Sequence, residues 1–294
     1  MDKTNDRKSI ITFISSMLIF GTVGVLRRSI PLSSALLAFS RGILGGLFLL
    51  VFVQLKRKEA RVKLRHHDLL RLMVTGAMIG INWILLFEAY NYTTVAVATL
   101  CYYMQPTIVV LLSPIIFKER LTGKKAICAM ISIFGMVLVS GVIGNNNRQI
   151  GNIRGILLGL GAAFFYAAVV ILNKKTLGID SYQRTKVLLL SAGIVMLPYL
   201  FFTSGFNDKG ISTSSIFLLL ILGIVHTGIA YTMYFGSMDG LRMQTIAVFS
   251  YIDPVSALFF SALLLREPIS KMNIVGAFMI IGSAMISEFQ AADK

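Results

Sequence analysis

The segments GINWILLFEA (residues 80–89) and GIAYTMYFGS (residues 228–237) lie 148 positions apart and share a glycine and a phenylalanine at matching places. The same shift aligns two further pairs of segments: YYMQP (102–106) with SYIDP (250–254), and SPIIFKERLT (113–122) with SALLLREPIS (261–270). Apolar residues often match by chance. A shared Tyr-x-x-Pro, followed by Glu at the same distance, is harder to obtain by chance and indicates an internal repeat.

The composition excludes an ordinary soluble protein. Of the 294 residues, 56% are hydrophobic and only 14% are charged, whereas soluble domains carry roughly a quarter charged residues. A membrane-spanning helix needs about 20 apolar residues. Ten apolar runs of suitable length fill the chain, near residues 9–26, 33–55, 69–89, 94–117, 125–143, 153–172, 186–203, 214–237, 243–265 and 271–288.

These runs predict an all-α integral membrane protein of ten transmembrane helices. The repeat divides it into a five-helix half at 1–144 and a second five-helix half at 145–294. Because five is an odd number, the second half enters the membrane from the opposite side and is inverted. Inverted repeats are typical of secondary transporters, with the substrate site near the membrane midplane between the halves.

The net charge of +15 suggests nucleic-acid binding as a first interpretation, but the positions of the charges argue against it. The segments between the predicted spans alternate between the two sides of the membrane. Of the 28 basic residues, 20 lie on the same side as the N-terminus, 7 lie on the opposite side, and Arg41 lies within a span. Basic residues prefer the cytoplasmic side, so both termini are predicted to be cytoplasmic in a multi-pass protein of the cell membrane. The basic loop at 56–71 is interpreted as a topology signal rather than a site for lipid headgroups.

Several short motifs resemble those of EamA-type transporters of the drug/metabolite transporter superfamily. They are Phe20-Gly21, Pro31, Arg41, the Tyr-x-x-Pro motifs at 103–106 and 251–254, and Glu119 and Glu267 with the residues that follow them. The resemblance implies ten helices, a central cavity, and small metabolites or drugs as substrates that are often exported. One position departs from the repeat, because Asp253 stands where the first half has the neutral Gln105.

Arg41 and Asp253 are the charged candidates for the substrate site. Arg41 lies about eight residues into its span, about 12 Å deep at about 1.5 Å per residue, and an arginine at such depth usually faces a cavity or a partner. It could bind a substrate carboxylate in a bidentate manner or simply tie two helices together. Asp253 could bind a substrate amine or carry a coupling proton. Alternatively, it could form a permanent salt bridge with Arg41 or an ordinary hydrogen bond.

Aromatic and amide side chains are predicted to line the same cavity. Trp83 and Tyr231 lie on the faces that the repeat relates, and aromatic rings with a polar tip suit a substrate chamber, although lipid-facing aromatics would give the same pattern. Tyr103, Gln105 and Tyr251 come from the two Tyr-x-x-Pro motifs. Asn82 is a further candidate, with hydrogen bonding between helices as its other interpretation.

Pro106 and Pro254 are each expected to remove a hydrogen bond in the middle of a span. The resulting kink could act as a hinge or could be a fixed bend. His226 is a candidate for proton coupling, since histidine titrates near neutral pH, although a lone histidine in a membrane protein is more often a packing residue.

A charged arginine and aspartate at similar depth suggest a zwitterion, so an amino acid or a close derivative is the predicted substrate. A multidrug or cation exporter is the main alternative. A polytopic membrane enzyme is a weaker one, because the loops carry no paired acidic motif. The sequence has no phosphate-binding loop of the G-x-x-x-x-G-K type, which argues against transport driven directly by a nucleotide. The expected partners are the lipid bilayer, a small-molecule substrate and a coupling proton, with no nucleic acid, cofactor or metal. The chain is predicted to act as a monomer or a homodimer.

Overall fold

The computed structural model describes residues 3–55, 65–92, 98, 101–118, 122–139, 153–176, 179–203, 212–266 and 271–289. All regular elements in these ranges are helical. The basic loop at 56–64, Glu119 and Glu267 lie outside the described residues.

The helices follow the chain in a simple order. They are α1 (Lys3–Gly21), α2 (Val23–Arg28), α3 (Ser34–Leu55), α4 (His66–Tyr92), α5 (Gln105–Phe117), α6 (Gly123–Val139), α7 (Ile153–Lys174), α8 (Ser181–Phe202), α9 (Thr213–Gly223), α10 (Ala230–Ser237), α11 (Met243–Phe249), α12 (Ile252–Leu265) and α13 (Lys271–Phe289). A π-helical turn at Ile224–Ile229 joins α9 to α10, and a single 3-10 turn, Met238–Gly240, follows α10. The continuous helical stretch from Thr213 to Gly240 is called the 213–240 segment below.

Within the described residues, six helical stretches are long and apolar enough to cross a membrane: Arg7–Arg27, Ala35–Leu55, His66–Ala89, Ile153–Lys174, Ser181–Phe202 and Thr213–Gly240. Four shorter apolar helices accompany them, at Gln105–Phe117, Ala126–Leu138, Ile252–Leu264 and Ile274–Ser283. The fold is therefore all-helical and of the membrane class, and each of these stretches overlaps one predicted span.

The two proline spans differ from the prediction. Pro106 and Pro254 were expected within continuous helices, but each stands in the first turn of a new helix, α5 and α12. Proline is well tolerated there, since the first turn of a helix has N–H groups without intrahelical partners. In the ninth span a turn at Ser250 and Tyr251 separates α11 from α12. The prolines therefore begin a second half-helix rather than kink a continuous one.

Glycines allow the central helices to approach closely. α3 packs against α8 over most of its length, and α4 packs against both α7 and α8. At the crossing of α3 and α8, a Cβ atom on Gly42 would lie 3.1 Å from the backbone nitrogen of Gly193. A Cβ atom on Gly45 would lie 2.9 Å from the carbonyl oxygen of Gly223. A side chain at Gly45 would therefore push α3 away from the 213–240 segment.

The outer helices complete the bundle. α6 packs on α13, where the Ser132 and Ser283 hydroxyls are 2.6 Å apart. α1 packs on α10 and α12. A Cβ atom on Gly21 would collide with Ser256 of α12, so the Phe20-Gly21 motif serves this contact. These contacts bring α1, α3, α4, α7 and the 213–240 segment around one interior.

Candidate functional site

Arg41 of α3 is buried, with 7% of its surface exposed. Its Nε donates to the Thr227 hydroxyl over 3.2 Å, and its guanidinium carbon lies 5.0 Å from the centre of the Trp83 ring. A cation at this distance over an indole face gains roughly 0.5–2 kcal/mol. Among the described residues, Arg41 forms no ion pair and donates no other hydrogen bond. Its two terminal Nη groups therefore remain available to a ligand.

The Thr227 hydroxyl is positioned by the π-helical turn. It donates to the Leu222 carbonyl over 2.8 Å, five residues back, and so turns its lone pairs to Arg41. π-helical turns within α-helices often mark functional sites. Gly45 packs on the backbone of this turn. The local shape of the turn thus fixes the direction in which Arg41 points.

A continuous series of ring contacts extends from Arg41 across the interior. The rings follow one another in the order Trp83, Tyr231, Phe20, Tyr234, Tyr166, Tyr102 and Tyr103. The distances between the centres of successive rings are, in the same order, 6.3, 5.0, 5.9, 6.5, 5.7 and 5.5 Å. These separations lie in the range of favourable aromatic pairs. The seven residues are called the aromatic cluster. Tyr231 and Tyr234 are buried, whereas Tyr103 and Tyr166 are partly exposed.

Asp253 lies at the other end of the aromatic cluster from Arg41. Its carboxyl group is within hydrogen-bonding reach of the Tyr103 hydroxyl, and it sits in the first turn of α12. The positive end of the helix dipole stabilises a carboxylate there. Tyr231 lies within electrostatic range of both Arg41 and Asp253. The predicted alternative of a permanent Arg41–Asp253 salt bridge is wrong, because these two described residues form no ion pair.

Gln105 and Tyr251 occupy the helix breaks but have different surroundings. Gln105 is 3% exposed, and its Nε2 has no hydrogen-bond partner among the residues that the structure describes. Tyr251 packs with Met136 and Ile280, and its hydroxyl lies 2.6 Å from that of Thr107. Tyr251, predicted to wall the cavity, thus ties the two broken spans together beside α6 and α13.

Asn82 and His226 are both engaged in contacts between helices. Asn82 Nδ2 donates to the Ala162 carbonyl of α7 over 2.6 Å. The Thr22 hydroxyl lies 2.8 Å from His226 Nε2 and also donates to the Ile19 carbonyl, so the Thr22 oxygen accepts from Nε2. His226 Nδ1 faces the Ile221 carbonyl at 3.4 Å. Each ring nitrogen of His226 thus faces an acceptor.

Sequence reasoning missed several residues of this interior. Tyr234 stands three residues after Tyr231 and so shares its helical face, a signal that was present in the sequence. Tyr166 and Thr227 carry no such signal, because Tyr166 reaches the cluster only through the packing of α7. Arg184, counted among the basic residues of an inner loop, lies inside α8 with 0% of its surface exposed.

The fold and this interior define a polytopic α-helical membrane protein with a buried polar and aromatic centre. The sequence profile of the EamA-like transporter family matches residues 7–141 and again residues 153–288. The chain therefore belongs to the EamA-like transporter family, and it is a membrane transporter.

Individual relatives agree with this family. The chain is similar to the uncharacterized transporter YxxF of Bacillus subtilis, with 28% identity over 250 residues, 85% of this chain and 79% of that protein. It is also similar to a probable amino-acid metabolite efflux pump of Escherichia coli, with 28% identity over 216 residues, 69% of this chain and 71% of that protein. A protein crystal structure shares the fold, with a TM-score of 0.82 and 18% identity, over 97% of this chain and 98% of that one.

Proposed function

We propose that this protein is a secondary transporter that exports an amino acid or a close derivative by alternating access between two five-helix halves. The observation that carries the proposal is Arg41, a buried guanidinium with no carboxylate partner among the described residues. Burying a charge without a partner is costly. A substrate carboxylate would supply that partner, and the free Nη groups offer the bidentate geometry that carboxylates prefer.

The packing of the helices supports ten spans arranged as an inverted repeat. The 148-residue shift relates α1 to α7, α3 to α8, α4 to the 213–240 segment, α5 to α12, and α6 to α13. Under that exchange, the contact of α4 with α7 becomes that of the 213–240 segment with α1, and both contacts exist. The contact of α1 with α12 likewise matches that of α7 with α5. The two matches to the family profile also support two related halves.

An experimental structure would test this repeat directly. We expect a two-fold axis in the membrane plane to place Pro106 on Pro254 after rotation. Positions of the two prolines that no such axis relates would rule out the inverted arrangement.

The proposed substrate is a zwitterion because the two charged groups flank one aromatic surface. Arg41 would bind the carboxylate and Asp253 the amine, with Tyr231 between them. Trp83, Tyr103 and Tyr231 would contact the substrate side chain. Gln105 Nε2 is buried without a hydrogen-bond partner among the described residues, and such groups normally find one, so it is a further candidate contact.

Asp253 and His226 are the proposed groups for proton coupling. The two nitrogens of the His226 ring lie near the Thr22 hydroxyl and the Ile221 carbonyl, so a proton added to the ring would have an oxygen acceptor within reach. Arg41, whose side chain bonds the neighbouring Thr227, opposes a second positive charge there. At Asp253, a proton and the substrate amine would compete for the same carboxylate, as export driven by proton entry requires.

The proposed location is the cell membrane, with both termini in the cytoplasm, on the basis of the distribution of basic residues. A cysteine placed at Lys58 tests it in intact cells. An impermeant thiol reagent added outside should not label it, and labelling from outside would contradict the topology.

The substrate can be tested with the purified protein. A thermal-shift screen of metabolites should find amino acids or derivatives that raise the melting temperature, and the hits should then show saturable flux in liposomes. A membrane enzyme would instead change its ligand chemically. The proposal fails if Arg41→Lys and Asp253→Asn both leave amino-acid binding intact while a lipophilic cation loses affinity only in the Asp253 variant. A drug exporter would then be the better assignment, since Asp253 lies among tyrosines that also suit a cation.

A further inference from the structure

A second buried arginine, Arg184, closes one end of the helix bundle. Its Nη1 and Nη2 both lie 3.1 Å from Asp239 Oδ1. The guanidinium also donates to the carbonyls of Phe235 and Thr176. Arg184 is completely buried, whereas the side chain of Asp239 is 40% exposed. One guanidinium therefore joins α8 to the residues that follow α7 and to the end of the 213–240 segment.

Other contacts converge on the same end. The Lys174 amino group at the end of α7 donates to the carbonyls of Met238 and Leu241. A Cβ atom on Gly240 would lie 2.4 Å from the Ser9 hydroxyl of α1, so Gly240 is in close contact with this helix. The end of the bundle at which α1, α7, α8 and the 213–240 segment meet is called the latch end.

Apolar packing separates the latch end from the aromatic cluster. Phe13 follows Ser9 by one turn of α1, and its ring centre lies 5.2 Å from that of Tyr234. Phe13 has 0% of its surface exposed and Met238 has 1%. In this conformation the cluster is therefore shut off from the latch end.

The closed arrangement leaves some buried polar atoms without a hydrogen-bond partner in the described part of the chain. Arg184 Nε is one, and both polar atoms of the Asn173 side chain, which is 1% exposed, are others. Unpaired buried polar groups are unfavourable. Asn173 lies seven residues after Tyr166, so both occupy one face of α7, and this face connects the aromatic cluster with the latch end. Opening of the end would give these atoms access to water, which would offset part of the cost of separating Arg184 from Asp239.

Asp239 is placed where the chain can move. It belongs to the single 3-10 turn at Met238–Gly240. The residue after that turn, Leu241, is extended, and α11 begins at Met243. A short connection of this kind can absorb a backbone rotation while the helices on either side move as rigid bodies. A pair between a fixed arginine and an aspartate on such a connection can form in one state and break in another.

We propose that Arg184 and Asp239 are the latch of a gate, and that separating them opens a path from the latch end to the aromatic cluster. This inference rests on the proposed alternating-access transport and specifies where one of its two gates lies. In the proposed topology the latch end faces the cytoplasm, so the conformation described here is closed on that side.

Cysteine reactivity tests the latch without any substrate. The two native cysteines, Cys101 and Cys128, are buried and are replaced by alanine. Asn173→Cys then reports access to the path, and a hydrophilic maleimide is applied to purified protein in nanodiscs, which exposes both faces. Asp239→Asn should speed labelling about tenfold, the effect of shifting an equilibrium by about 1.4 kcal/mol.

Asp180→Asn is the matched control. Asp180 caps α8 at the same end and accepts a hydrogen bond from the Gln183 backbone, but it does not pair with Arg184. Asparagine caps a helix equally well, so labelling should stay at the background rate. Asp239→Glu, which restores a carboxylate, should label more slowly than Asp239→Asn.

A second cysteine, placed far from the latch end, tests whether the Asp239→Asn substitution loosens the whole fold. Ser132→Cys lies in the buried contact between α6 and α13 and should remain slow in the Asp239→Asn protein. Equal labelling of Asn173→Cys in the Asp239→Asn and Asp180→Asn proteins would overturn the latch, and so would an accelerated second reporter. Neither result depends on Arg41, so failure of the latch and failure of the substrate assignment can be told apart.

Discussion

Arg41 and Arg184 are both buried arginines that contact the 213–240 segment, but only Arg184 has a carboxylate partner among the described residues. Arg184 bonds to Asp239 and to two backbone carbonyls. Arg41 bonds to one hydroxyl and lies over one indole ring. The two sites show that burial of an arginine does not by itself reveal its role.

The difference lies in what neutralises each charge. At Arg184 the chain supplies the negative charge, so the pair holds helices together and needs no ligand. Among the described residues, Arg41 has only a hydroxyl and the negative face of a ring as partners, and these compensate a buried cation incompletely. A ligand carboxylate would complete the compensation, and five substitutions test this contrast.

Replacing Arg184 by methionine should mainly lower stability, whereas replacing Arg41 by methionine should mainly remove the response to ligand. Arg184→Met removes the donors of Asp239, Phe235 and Thr176, and should lower the free energy of unfolding by roughly 2–3 kcal/mol. Arg41→Met breaks one hydrogen bond and removes an uncompensated charge, so the free energy of unfolding should change by less than about 1 kcal/mol. Arg41→Met should abolish the ligand-induced thermal shift. Thermal melting with and without ligand measures both, and a larger loss of stability in Arg41→Met would contradict the comparison.

Arg41→Lys keeps the charge but loses the planar pair of donors. Affinity for a carboxylate ligand should fall about tenfold, because lysine binds as a point charge rather than a fork. Arg266→Lys, on an exposed arginine, serves as the control and should bind normally. Unchanged affinity in Arg41→Lys would assign Arg41 a purely structural role.

Asp253→Asn removes the titrating group at the other end of the aromatic cluster. Binding of the amine should weaken several-fold, since a charge-assisted hydrogen bond is replaced by a neutral one. The dependence of transport on pH should flatten, because an amide does not titrate. Flux in liposomes at several pH values measures this, and a pH profile identical to that of the parent protein would exclude Asp253 from coupling.

Pro254→Ala should have the smallest effect. Proline occupies the first turn of α12, where alanine is also accepted, so the fold should be retained. Turnover should change about two- to fivefold with little change in affinity, if the helix break absorbs motion during transport. Pro198→Ala, within α8, is the control for removal of a proline. Unchanged turnover with normal expression would refute the hinge.

Particular residues show where sequence reasoning succeeded and where it failed. The burial of Arg41 and its vicinity to Trp83 could be anticipated, because a charged residue within an apolar run must avoid lipid. The break at Pro254 was expected as a kink, since the sequence marks the proline but not the turn at Ser250 and Tyr251 before it. Tyr251 was predicted to line the cavity with Tyr103. The repeat makes the two tyrosines equivalent in sequence, but their contacts differ. Tyr103 lies near Asp253, whereas Tyr251 contacts Thr107.

The sequence by itself determined the class of the protein, the positions of its apolar helices and the family to which it belongs. Each of these follows from properties that are local or periodic along the chain: hydrophobic length, charge distribution and the 148-residue repeat. The tertiary structure alone decided the partners of each buried polar group. Arg184 bonds to Asp239, which is 55 positions away in the sequence, and Arg41 bonds to Thr227, which is 186 positions away. Contacts over such separations depend on how the helices pack and cross, rather than on any local pattern in the sequence.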